Sequence, residues 1–158
     1  MSIQLTQWPP SPLGGHNHIS LDSLYIEAEA LGLRVEESRL PGDYCGLYDE
    51  RTGTILLDGR LNDRQLRCAL THELIHAAYH DTSCAALYMR RQERRTRRLT
   101  ALRLINRDAY EAASMAYEGN KHLMMISLGV TLQVLTDYEQ TVRERLEAVT
   151  LPLGLVVG

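Results

Sequence analysis

The sequence predicts an α+β domain, mostly helical, with a small three-stranded antiparallel sheet ahead of a long helix. Three observations predict it. Residues 33–59 hold three short β-rich segments separated by Pro-Gly-Asp and Arg-Thr-Gly turns. From residue 61 almost to the end, apolar positions recur at helical spacing between cap residues. The chain has 158 residues, 44% of them apolar and 23% charged, which suits one ordinary soluble core.

The elements follow in order. Residues 1–19 are rich in Pro, Gly and His and read as an irregular arm. "SLDSLYIEAEALG" (20–32) reads as a short helix, with Ser20 as N-cap and Gly32 just past the end. "LRVEESRL" (33–40) alternates apolar and polar residues, as a strand does. "PGD" then turns the chain into "YCGLYDE", and "RTG" turns it into "TILLDG". Tight turns between successive strands favour antiparallel pairing.

"NDRQLRCALTHELIHAAYH" opens on Asn62, with Gln65 three residues later as in a capping box. Further helices are expected at 89–105, 107–118, 120–128 and 131–149, with Asn106, Asn120 and Thr131 as caps. The apolar tail "LPLGLVVG" (151–158) is expected to pack back on the body. There is no repeat or low-complexity tract.

Composition narrows the function classes. A net charge of −3 gives no global attraction to nucleic acid. No apolar run approaches the roughly 18 residues of a membrane span. The N-terminal residues lack the basic and apolar regions of a signal peptide, so a cytoplasmic location is expected. Cys45, Cys68 and Cys84 are an odd number without CxxC spacing, which points to reduced thiols. "RRQERRTRR" (90–98) holds six arginines, read as a solvated helix surface paired with Glu93 and upstream acids.

The chemistry concentrates in "THELIHAAYHD", residues 71–81. On a helix, His72 and His76 are offset by about 40° and lie about 6 Å apart along the axis. Both imidazoles can therefore reach one zinc ion at roughly 2.0–2.1 Å. Glu73, beside the first histidine, is placed to take a proton from a metal-activated water, which is the logic of HExxH. His80 lies about 12 Å along the axis from His72, and neither it nor Asp81 is expected to ligate. His80 should instead sit at the helix C-terminus, near exposed carbonyls. Glu93, on the next helix, is a candidate third ligand in a His2Glu set. For any single Glu inside an arginine-rich run, a solvated partner of Arg90 or Arg97 is the favoured reading.

Two weaker features complete the pattern. "ISLGVTLQVLTDYE" (126–139) has the outline of a helix-turn-helix, yet its second helix carries Asp137 and Glu139, so a packed helical hairpin is expected. Tyr48, Tyr79, His80 and His122 are candidates, by chemistry alone, for stabilising an oxyanion.

Over residues 24–110 the sequence resembles the ImmA/IrrE family of small metallopeptidases. The resemblance rests on "EAEALGLRVEESRLPGDYCGLYDERTGTILLDGRLNDRQLRCALTHELIHA" followed by "RQERRTRRLTALRLINRDAY". It implies a zincin-like domain in which Glu93 joins His72 and His76 on zinc, with Glu73 as general base. The chain departs from the family pattern at Thr96 and Arg97, where Ala and Asp or Asn are frequent, and at His80, where Gly is common; no ligand is lost.

The implied organisation is an arm at 1–19, a metallopeptidase core at 20–110 and a C-terminal helical region at 111–158 packing on it. The implied function is cleavage or inactivation of a helix-turn-helix repressor in phage or mobile-element regulation, without direct nucleic-acid binding. The alternative is a non-catalytic anti-repressor in which zinc is structural.

Overall fold

The computed structural model describes residues 19–81 and 86–150. The expected arm apart from Ile19, residues 82–85 with Cys84, and the apolar tail at 151–158 lie outside the described residues.

Helix α1 (Leu21–Ala30) starts where the Ser20 hydroxyl accepts from the Ser23 N–H at 3.1 Å. It stops at Leu31, and Gly32 follows with φ +72°. The strands β1 (Arg34–Ser38), β2 (Gly46–Asp49) and β3 (Thr54–Asp58) come next. Asp49 closes the β2–β3 turn by accepting from the Arg51 N–H and the Thr52 hydroxyl, both at 3.0 Å.

The sheet corrects the expected antiparallel topology. Its order is β1-β3-β2, with β2 antiparallel to β3 but β1 parallel to it. The reason is burial. "TILLD" is the most apolar of the three strands, with Ile55 and Leu57 fully buried, whereas β1 is largely exposed. The central position goes to the strand with most to bury, so β3 inserts between β1 and β2 and leaves both as edges.

Six helices among the described residues carry the rest: α1, α2 (Asp63–Ala78), α3 (Ala86–Leu104), α4 (Arg107–Ala116), α5 (Lys121–Leu128) and α6 (Leu132–Thr150). Asn106 and Asn120 cap α4 and α5 as expected, and the Thr131 hydroxyl accepts from the Val134 N–H at 3.3 Å. None of these helices is long and apolar enough to cross a membrane.

α2 serves two cores. Leu66, Leu70 and Leu74 pack with α1 and β3, around Leu24, Ile55 and Leu57. Cys68 joins Ala101, Met124, Val130 and Leu135 from the later elements. Arg67, 4% exposed, links these parts by donating to the carbonyls of Ile19 and Gly129, each at 2.5 Å. Cys45 and Cys68 are both free thiols. The 126–139 segment is a helical hairpin turning at Gly129 (φ +63°), and its Asp137 faces inward to Arg97 at 2.5 and 3.0 Å.

Candidate metal centre

α2 is fixed at its start by a complete capping box. The Asn62 side chain accepts from the Gln65 N–H, and the Gln65 side chain accepts from the Asn62 N–H, both at 3.0 Å. From that start, helical spacing stacks His72 and His76 on one face. Their Nε2 atoms lie 3.1 Å apart. Glu93, on the second turn of α3, completes the cluster: Oε1 lies 3.3 Å from His72 Nε2, and Oε2 lies 3.4 Å from His76 Nε2. One ligand atom from each residue falls within 4.8 Å of the others.

The donor set fits a divalent ion. Two ligand atoms at about 2.0–2.1 Å from one tetrahedral centre are separated by roughly 3.3 Å, which matches the spacings above. Two neutral imidazoles and one carboxylate are also donors that zinc accepts. The two imidazoles hold the Glu93 carboxyl well below its usual range. For His76, burial disfavours the charged ring, but hydrogen bonds to Glu93 and Asp81 outweigh it and raise the pKa.

Glu73 points elsewhere, toward the sheet. It is 6% exposed, and its carboxylate accepts from the backbone N–H of Tyr48. Burial pushes its carboxyl up, against the pull of the two imidazoles. β2 crosses so close that a Cβ at Gly46 would lie 2.8 Å from Glu73 Cγ and 2.9 Å from Oε1. Only glycine leaves that carboxylate where it is.

The end of α2 supplies a support that the sequence reading did not assign. His80 adopts φ +51°; its N–H donates to the Ala77 carbonyl and the Asp81 N–H to the His76 carbonyl, both at 3.1 Å. This is a Schellman closure, with histidine at the position that glycine usually takes. It swings Asp81 back onto His76, Oδ2 to Nδ1 at 2.7 Å. Arg95 grips the same carboxylate at 2.5 and 2.7 Å while lying 3.9 Å over the Tyr79 ring. A carboxylate on the far nitrogen fixes the tautomer that leaves Nε2 free to ligate. Thr96, fully buried, sits 3.4 Å from the same nitrogen. The signals for these supports were an isolated glycine within a strand and an Asp five residues after a ligand.

His80 itself is turned away, its side chain 77% exposed and paired with Glu50 at 2.8 Å. It sits at the helix C-terminus as expected, but its ring meets Glu50 and not the helix carbonyls. Of the four oxyanion candidates, Tyr48 and His80 are joined through Glu50, Tyr79 is covered by Arg95, and His122 is exposed on α5. Burial and the Glu50 carboxylate push the Tyr48 hydroxyl up to about 12. Of the six arginines in the run, Arg95 pairs with the upstream Asp81, and Arg97 and Arg98 pair with Asp137 and Glu144; none of these three pairs with Glu93.

The family model for the IrrE N-terminal-like domain, Peptidase M78, matches residues 28–137, more than two thirds of the chain. The chain belongs to this family. Membership makes it a metallopeptidase of the IrrE/ImmA type, and the His72, His76 and Glu93 cluster is a group able to bind its metal ion. A comparison with curated proteins finds no match.

Proposed function

We propose that this metallopeptidase is a zinc endopeptidase that relieves repression by cleaving a helix-turn-helix repressor, in the cytoplasm of a cell under phage or mobile-element control. The observation that carries the catalytic part is the pairing of two features. Three ligands converge from α2 and α3, and a buried carboxylate from the neighbouring residue, Glu73, is held in place by β2.

His72, His76 and Glu93 would hold the ion. It would polarise the scissile carbonyl and bring the pKa of its water toward about 7. Glu73 removes a proton from the attacking water and passes it to the departing amine nitrogen. Burial raises its carboxyl above the ordinary glutamate value, the direction that helps a group both take and return a proton. Asp81 and Arg95 keep the His76 ring in its ligating orientation. The substrate class follows from the family resemblance.

Repression relief measured beside an immunoblot of the repressor tests this. Glu73→Gln should keep metal and partner binding but leave the repressor intact and repression in force. Full relief by Glu73→Gln with intact repressor would make the protein a binding module instead.

A further inference from the structure

The arginine run of α3 divides once its partners are known. Arg95, Arg97 and Arg98 are engaged by Asp81, Asp137 and Glu144. Arg90 and Arg94 are exposed and have no acidic partner among the described residues. They stand one turn apart on the same face, an i,i+4 pair of like charges that costs the helix stability.

That face is one wall of a groove of about 790 Å³ between α3 and α6. Met89, Arg90 and Arg94 line the α3 side, and Gln140 and Thr141 line the α6 side. Glu93 lines it as well, so the groove runs up to the metal centre. Its charges can be counted pair by pair. Arg97 is matched by Asp137 and Arg98 by Glu144, while Glu93 is engaged by the two histidines. Two arginines, Arg90 and Arg94, are left without an acidic partner among the described residues, and both line the groove.

We propose that this groove is a substrate subsite that seats an acidic stretch of the polypeptide next to the scissile bond, with Arg90 and Arg94 receiving its carboxylates. The subsite rests on the peptidase reading above. Guanidinium groups bind carboxylates through paired N–H donors, and an extended peptide can offer such groups at intervals matching one helical turn. A nucleic-acid strand suits the groove less well. Its continuous phosphates would run against Asp137 and Glu144 as well as the arginines, on a chain whose net charge is already −3.

The test uses zinc-loaded Glu73→Gln protein, in which peptide remains uncleaved, and fluorescence anisotropy. The probes are a fluorescein-labelled, glutamate-bearing peptide in a Gly/Ser/Ala background, its glutamine counterpart, and a single-stranded oligonucleotide. The glutamate peptide should bind about tenfold tighter than the glutamine peptide at low salt. Adding Arg90→Gln and Arg94→Gln together should abolish that preference and its salt dependence. Adding Arg91→Gln instead, on α3 but outside the groove, should leave it intact. Equal binding of the two peptides, including none by either, overturns the proposal. So does a preference that survives the double change, or one lost equally with Arg91→Gln. Tighter binding of the oligonucleotide, lost in the double variant, would reassign the groove to phosphates. Because no peptide is cleaved here, failure leaves the repressor-cleavage assay of Glu73 as a separate test of the peptidase reading.

Discussion

Gly46 holds the tightest constraint on the chemistry. Any side chain there must displace the middle of the Glu73 side chain, which is 6% exposed. We expect Gly46→Ala to retain metal while losing roughly 10- to 100-fold in turnover, since a misplacement of about 1 Å is costly at a reacting group. Metal content and hydrolysis rate measured on one preparation check this, and unchanged turnover would contradict it. Asp81 makes a contrasting case, because it touches His76 of the metal cluster and not Glu73. Asp81→Ala should weaken metal affinity about 10- to 100-fold through loss of the His76 partner. His80→Ala should change it little, because that ring pairs with Glu50. Competition against a chelating dye reads both. Equal affinities for Asp81→Ala and the unaltered protein would remove Asp81 from the ligand support.

At the scale of elements, α2 is the piece on which others register. Its start and its histidine spacing follow from local rules, so they could be read from the sequence to within a few residues, whereas its C-terminal closure, with His80 where glycine is usual, could not. Asn62, Asn106 and Asn120 each cap the helix assigned to them for the same reason. Strand order was not legible, because the position of β3 depends on which strand buries most, a property of the whole sheet. Nor was the role of Arg67, which joins segments about sixty positions apart through carbonyls that no side-chain pattern reveals. Arg67→Met should leave those carbonyls unpaired and destabilise the fold by about 2 kcal/mol. Urea unfolding measures this, and an unchanged midpoint would show that the linkage contributes nothing.

For the whole molecule, pH acts through the end of β3. Asp58, 1% exposed, is gripped by Arg60 and accepts from the Leu40 N–H at 3.2 Å; Arg60 holds its carboxyl well below the usual range. A depressed folded-state pKa contributes stability above the unfolded value of about 3.9, lost as pH falls from there through the folded value. Asp58→Asn should therefore be less stable than the unaltered protein at neutral pH, with the gap closing below about pH 4. Urea midpoints across pH would show it, and a constant gap would refute it. The metal centre belongs to this scale too, because α2 and α3 build it together. His72 and His76 were legible from periodicity within one helix. Glu93 was assigned through the family resemblance, since the packing of α3 on α2 is not a local property. Metal content of purified variants tests this three-residue centre most directly. Near-stoichiometric zinc is expected in the unaltered protein and in His80→Ala, and almost none in Glu93→Ala. A full load in Glu93→Ala, with loss in His80→Ala, would contradict it.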